Sequence, residues 1–468
     1  MEREAPPPAA AAAPPPRWRE DAQAILRLSG PLLVNNFSNV GMTTADTVMA
    51  GRLGAFDLAA VALGAAYYNL FFLAGLGLLM AMSPTVAHAV GAGRDGEVGS
   101  HFRQALWLSL AVAVLMLVAV SAAEPVLLAI GTPPPLARLT ARYVHALGGG
   151  APAIFAFLAL RFASEGIGWT RPIMFAALLG LGANIAGNWL LMYGHFGLPA
   201  LGAVGTGVST AIAQWLMFAF MWRHVRRHRR YAPYRPLARF EAPDRERLRT
   251  ILALALPICG SVFAEGALFA AAGLMMGGFG PVVVAAHAIA LNYAALMFML
   301  PLSFHSATTI HVGHRAGAGR MRAARAAGWT GIGMCVGVMA ISALVLLAAR
   351  GAIAALYTAD AAVLALAATL LAYAAAFQLA DGLQVGVAGA LRGFKDARVP
   401  MWLCVAAYWG VGFPLAWSGG IVQRGGAPAV WAGLIAGLFA AALLLTLRYR
   451  HISVRALAPA ASHPEVAP

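Results

Sequence analysis

Three carboxylates stand where carboxylates are costly. Of the eighteen Asp and Glu residues, Asp46, Glu265 and Asp381 fall deep inside apolar stretches, while the others lie in tails, loops or stretch ends. An ionised side chain at the middle of a bilayer costs on the order of 3 kcal/mol, so such residues mark ion or substrate paths. Each also has polar company at helical spacing. Asn35, Asn39, Met42 and Asp46 follow at intervals of four, three and four residues, one continuous helix face. A stripe made only for helix contact favours Gly, Ala and Ser; amides with a carboxylate line a wet path or a cation site instead. Asn184 and Asn188, at i and i+4, are candidate partners facing it.

The second half has its own set. Glu265 follows Ser261 by one turn, Asp381 is flanked by Gln378 and Gln384, and His287 and Asn292 interrupt an apolar run. Carboxylates and amides supply hard oxygen ligands, which makes Glu265 and Asp381 candidate Na⁺ ligands. A buried carboxyl can equally carry a proton, and the residues alone leave that choice open. Pro31 and Pro257 each remove a backbone donor early in an apolar stretch and are candidate bending points. No HExxH, nucleophile or phosphate-loop motif points to an enzyme. No cofactor is implied beyond the coupling ion, and the scattered Cys259, Cys335 and Cys404 have neither disulfide nor metal spacing.

The elements that must position these groups are membrane helices. The chain has 468 residues, 60% hydrophobic and only 11% charged, where a soluble domain carries about a quarter charged. No charged residue falls between Arg171 and Arg223, or between Glu265 and Arg315. Each stretch is too long for one crossing of about 20 residues and must turn back. Twelve spans follow, near 23–50, 57–82, 104–130, 140–162, 172–194, 203–224, 250–277, 282–311, 327–355, 362–390, 399–420 and 427–448. With both termini cytoplasmic, every basic residue lies inside except Arg52, Arg138, Arg142, Arg350 and Arg424. The net charge of +15 then reflects loops near anionic lipid headgroups and no nucleic-acid partner.

The two halves are related. An offset of 226 residues places Pro31 on Pro257, His88 on His314, and Gly91-Ala92-Gly93-Arg94 on Gly317-Ala318-Gly319-Arg320. With a small gap, Gly166…Pro172 parallels Gly393…Pro400. Each repeat has an even number of spans, so the pseudo-twofold axis should lie along the membrane normal with a cavity between the lobes. The expected organisation is a Pro/Ala-rich disordered tail at 1–21, a six-helix lobe at 22–226 and a basic cytoplasmic linker at 227–249. A second six-helix lobe at 250–450 and a loose tail at 451–468 complete it.

The run Asp46-Thr47-Val48-Met49-Ala50-Gly51-Arg52-Leu53-Gly54, then Asp57-Leu58-Ala59-Ala60-Val61, resembles the opening signature of MATE multidrug efflux transporters of the NorM-like bacterial branch. The likeness continues through Asn184…Asn188-Trp189, Ala285-Ala286-His287 and Leu391-Arg392-Gly393-Phe394-Lys395-Asp396. It implies an all-α membrane protein whose two six-helix bundles alternate access and expel cationic or amphipathic drugs in exchange for Na⁺ or H⁺. It further implies that Glu265 and Asp381 are the C-lobe cation acids and Asp46 the N-lobe acid, with Asn184 and Asn188 beside it. Phe377 replaces a tyrosine of some relatives, and Asn188 a second aspartate of others. A monomer in the inner membrane is expected. The alternative is a lipid-linked oligosaccharide flippase of a related two-lobe fold.

Overall fold

The computed structural model describes residues 18–455 and Leu457. The Pro6–Pro16 tract and residues 458–468, expected as loose tails, lie outside the described residues. Among the described residues all regular structure is helical. The first half contains α1 (Trp18–Leu53), α2 (Ala55–Met80), α3 (Met82–Gly91), α4 (Asp95–Ser121), α5 (Ala123–Ala129), α6 (Pro134–Gly148), α7 (Ala151–Gly166), α8 (Arg171–Tyr193) and α9 (Ala203–Arg227). The second contains α10 (Arg245–Gly277), α11 (Pro281–Gly317), α12 (Met321–Ala355), α13 (Ala361–Gly393), α14 (Arg398–Ala407), α15 (Phe413–Trp417) and α16 (Gly426–Arg455).

Ten described spans are long and apolar enough to cross a bilayer unaided, and α6 with α7 makes another across a 45° bend. The twelfth is α1, 36 residues long. Its hydropathy falls short because Asn35, Asn36, Asn39, Thr43, Thr44 and Asp46 crowd its middle. Such a helix is tolerable in hydrocarbon only when its polar face is turned towards protein or water. Twelve spans thus form two lobes, each around its own core. One core runs from Leu32 to Ile251. The other runs from Leu268 to Tyr449.

Small residues let the helices approach closely, which is what drives association where lipid is as apolar as leucine. At Gly433 of α16 an added Cβ would lie 2.3 Å from the Ala416 backbone nitrogen. The repeated Gly-Ala-Gly-Arg motif is a helix stop used twice. Gly93 and Gly319 take left-handed φ of 69° and 72°, and the Arg94 and Arg320 amides reach back to Ala89 and Arg315 at 2.9 Å. Only glycine adopts that conformation without a Cβ penalty.

Several boundaries differ from the sequence reading. Trp18–Asp21, assigned to the tail, is the first turn of α1, because Asp21 is buried and accepts from His311 at 2.9 Å and from Arg315. Residues 451–455, also assigned to a tail, continue α16. The linker is shorter than 227–249, since Asp244 caps α10 by accepting from the Glu246 amide at 2.9 Å. Nor does it hang free. Glu241 accepts from Arg103 Nε at 2.6 Å and from Ser100, while Trp107 donates to its carbonyl at 2.8 Å. Gln104 spans the end of the strap, donating to Ala242 and accepting from Asp244, both at 3.0 Å. The segment is therefore strapped to α4 of the first lobe.

Burial of Glu241 opposes its ionisation, but hydrogen bonds from Ser100 and Arg103 and the guanidinium charge outweigh it and hold the carboxyl below its ordinary range. A carboxyl depressed on folding stabilises the strap above its unfolded pKa of about 4.3, and the effect is lost as pH falls through the folded value. The E241Q variant is accordingly expected to expose the linker at neutral pH. Limited trypsin digestion of the purified protein should cut it several-fold faster around Arg239 than the native chain, and an unchanged rate would contradict the strap.

Candidate functional site

Asp46 sits on the buried face of α1, where it is 9% exposed. Asn184 and Asn188 of α8 donate to its Oδ1 at 3.0 and 2.6 Å, and Thr210 of α9 donates to Oδ2 at 3.3 Å. The i,i+4 spacing on α8 aims both amides at one oxygen, as the sequence anticipated. Neutral donors thus stand in for water around the carboxylate and tie α1 to α8 and α9. A single change at the carboxyl, by proton or cation, would act on three hydrogen bonds at once.

The second lobe is built differently. Asp381, on α13, is 2% exposed, and its Oδ1 has no protein partner. Glu265 of α10 is half-buried and within electrostatic reach of Asp381. Further buried polar atoms without protein partners are both amide atoms of Gln378 and Oε1 of Gln384, one turn either side of Asp381 on α13, and both nitrogens of His287 on α11. The Gln384 amide donates to the Tyr408 hydroxyl at 2.5 Å. Tyr408 opens a π-helical turn, Tyr408–Gly412, between α14 and α15. Such turns re-aim side chains and concentrate at functional sites. Buried polar groups normally find partners, so these oxygens and nitrogens have hydrogen-bonding capacity that the protein itself does not use.

Phe377 contributes no ligand and closes one wall. It packs on Trp431 with ring centroids 5.9 Å apart and on Phe269 at 5.7 Å, while His287 meets Trp431 at 5.8 Å. The hydroxyl at this site comes instead from Tyr408, which the sequence reading did not single out. Among the described residues no group of three or more His, Cys, Asp and Glu could hold a metal. A cation here would rest on two carboxylates plus amide and hydroxyl oxygens, a donor set suited to a hard monovalent ion or a proton.

Other candidates scatter. Asn35 is fully buried and, with its amide oxygen turned to Arg161, lies 3.1 and 3.2 Å from the guanidinium. Asn39 is half-buried on the same helix. Asn292 is exposed and accepts from Tyr357 at 3.0 Å, on the periphery of its lobe, so it does not join His287. Pro31 and Pro257 lie inside unbroken helices. The interruptions fall elsewhere: between α2 and α3, between α4 and α5, at the α6–α7 bend, and at two π-helical turns flanking α15.

One acid was missed. Glu165 is 1% exposed and pairs with Arg161 at 2.8 Å. Placing the fourth span at 140–162 put it outside the membrane segment, whereas α7 continues to Gly166. Its i,i+4 spacing from Arg161 was the available signal. Glu165 faces His305 and Arg392 of the other lobe across a small cleft, also lined by Ser83 and Thr309. His305 Nδ1 donates to the Val385 carbonyl at 2.8 Å, leaving Nε2 to accept from Arg392 at 3.1 Å. Buried charges are therefore not only acidic: Arg161 is buried, and Arg392 is half-buried beside the same cleft.

The MatE profile matches residues 31–190 and again 257–418, beginning 226 residues apart (257 − 31), the offset of the internal repeat. The chain belongs to the MatE family. It is 40% identical over 428 residues to the probable multidrug resistance protein NorM of Xanthomonas axonopodis pv. citri, covering 92% of this chain and 93% of that one. It is also 40% identical to the multidrug resistance protein PmpM of Pseudomonas aeruginosa, with 92% of each chain covered. The fold superposes on the eukaryotic MATE transporter AtDTX14 with a TM-score of 0.85 at 18% identity, over 94% of this chain and 98% of that one. A MATE crystal structure in complex with MaD3S gives 0.86 at 21% identity, over 93% and 97%.

Within this MatE chain the signature residue Asp57 has a plain structural task. It accepts from the Ala203 amide at 2.9 Å and so caps the start of α9 from α2. The Asp46 cluster yields a sharper expectation. N188L removes the shortest donor and leaves a buried carboxylate oxygen under-satisfied, which costs on the order of 1–3 kcal/mol. A thermal-stability assay of the purified protein should read a lowered midpoint for N188L, whereas an unchanged midpoint would mean the amide adds nothing to the α1–α8 contact.

Proposed function

We propose that this MatE protein is a multidrug efflux antiporter. It exports organic cations and amphipathic drugs by alternating access, in exchange for Na⁺ or H⁺. The relatives named as multidrug resistance proteins support the efflux reading, and the two-lobe fold supplies the geometry for rocking. One observation carries the coupling: Asp381 offers a buried carboxylate oxygen with no protein partner beside a second acid, Glu265. Two neighbouring carboxylates repel while both are ionised. Loading a proton or Na⁺ relieves that repulsion, and Gln378, Gln384 and Tyr408 can complete the coordination. Arg392 lies within electrostatic reach of Glu265. Asp46, already solvated by Asn184, Asn188 and Thr210, responds in the other lobe as a hinge-setting acid.

The protein works in the inner membrane as a monomer, with the linker and both chain ends in the cytoplasm. The basic run Arg223–Arg249 supports this orientation. A flippase for a lipid-linked pyrophosphate would need free cations between the lobes. Of the two interior arginines, Arg161 is instead charge-paired with Glu165.

The test is efflux of a fluorescent organic cation from proteoliposomes under Na⁺ or proton gradients imposed separately, with a labelled polyprenyl-linked sugar in parallel. E265Q and D381N are each expected to cut coupled efflux roughly tenfold or more while inserting normally. Full efflux by both variants would reject the assignment of the acids. Indifference to both gradients would reject antiport, and transport of the sugar alone would install the flippase.

A further inference from the structure

We infer that His88 and His314 are matched latches that hold the two lobes shut on the linker face, each capping a helix of the opposite lobe. His88 Nε2, on α3, donates to the Gly393 carbonyl at 2.7 Å. His314 Nε2, on α11, donates to the Gly166 carbonyl at 2.6 Å. The two histidines are 226 residues apart and the two glycines 227, so one contact is the pseudo-twofold image of the other. Gly166 and Gly393 are the last residues of α7 and α13. A carbonyl at a helix end has no partner within its own helix, and among the described backbone hydrogen bonds none ends on either oxygen. Each lobe thus satisfies the other's helix terminus.

The motif next to each histidine makes the meeting possible. A Cβ on Gly91 would lie 2.1 Å from the His314 carbonyl oxygen, and a Cβ on Gly317 would lie 2.2 Å from that of His88. Those clashes are with backbone, which cannot swing aside. The first glycine of each Gly-Ala-Gly-Arg therefore permits backbone-to-backbone approach across the axis, and the second ends the helix. A motif that the repeat alone presented as a shared sequence becomes the two halves of one closure.

The closure is confined to one face. Cross-lobe hydrogen bonds among the described residues run from Asp21–His311 at the linker side to mid-height, where Asn36 donates to Ser303 at 3.1 Å. Beyond that height α1 carries exposed Thr43, Thr44 and Thr47, each hydroxyl spent on a carbonyl of its own helix. Opening the linker face must break both latches, and water can then replace the histidines at the helix ends. The latch rests on the alternating-access reading but not on any substrate or coupling ion.

The experiment places spin labels at G96C and R322C, an exposed pair 226 residues apart at the start of α4 and α12, with open space around Gly96. The background replaces Cys259, Cys335 and Cys404 by alanine. In H88A/H314A the ratio of long to short inter-label distances should rise roughly tenfold, the scale expected for losing two net hydrogen bonds. H88Q/H314Q, which keeps an amide donor, should return most of the short population, and G91A should lengthen the distance by itself. If the double alanine variant does not purify, H88A and H314A singly must shift in the same direction. An unchanged distribution overturns the latch. So does a shift that glutamine leaves undiminished, because that would assign the effect to lost packing. The distances are read without drug, so a failed efflux assay and a failed latch are told apart.

Discussion

Hydrocarbon offers nothing to a polar group, and that constraint orders everything else in this molecule. A helix can cross the bilayer because it satisfies its own backbone, but a side-chain carboxylate must find donors in another helix or in water. The least apolar of the twelve spans, α1, is consequently the best connected in polar terms. Its Asp46 is bonded to α8 and α9, Asn36 to α11, and Asp21 to the far end of α11. The least apolar span is thereby hydrogen-bonded to helices of both lobes.

The two acid sites answer the same constraint in opposite ways. In the first lobe, three neutral donors converge on Asp46, so the carboxylate is part of the packing. In the second, Asp381, Gln378, Gln384 and His287 leave polar atoms without protein partners, and Tyr408 is brought in by a π-helical turn. Such a nest is poor packing and good chemistry. A buried network that is only partly satisfied costs stability, a cost that the proposed binding of a coupling cation would offset. Pseudo-symmetry relates the scaffolds of the lobes, and it does not extend to their polar contents.

Where the lobes touch, symmetry is kept. His88 and His314, Gly91 and Gly317, and Gly166 and Gly393 meet as image pairs. A duplicated lobe brings the same surface to both sides of the axis, so a contact that works once works twice. The charged clasp of Asp21 with His311 and Arg315 departs from it, because the equivalent of Asp21 is Arg247 and that of Arg315 is Ala89, and so does Asn36 with Ser303, whose equivalents are Val262 and Gly77.

Composition, the spacing of charges and the 226-residue offset by themselves determined the class, the span count, the two related lobes and the three deep acids. These are local quantities: hydropathy over about 20 residues, helical periodicity and repeated identity. The pairing of Asn184 and Asn188 with Asp46 was legible for the same reason, since i,i+4 spacing fixes a face. What lay beyond reach was which face meets which. Glu165 was passed over because a span boundary is soft by several residues, Tyr408 because nothing in its neighbours announces a π turn, and Asn292 was grouped with His287 although it points to the periphery. The reciprocal capping of Gly166 and Gly393 joins residues more than 140 positions apart. Only the packing of finished helices decides such contacts, because their energy depends on distances that no local pattern encodes.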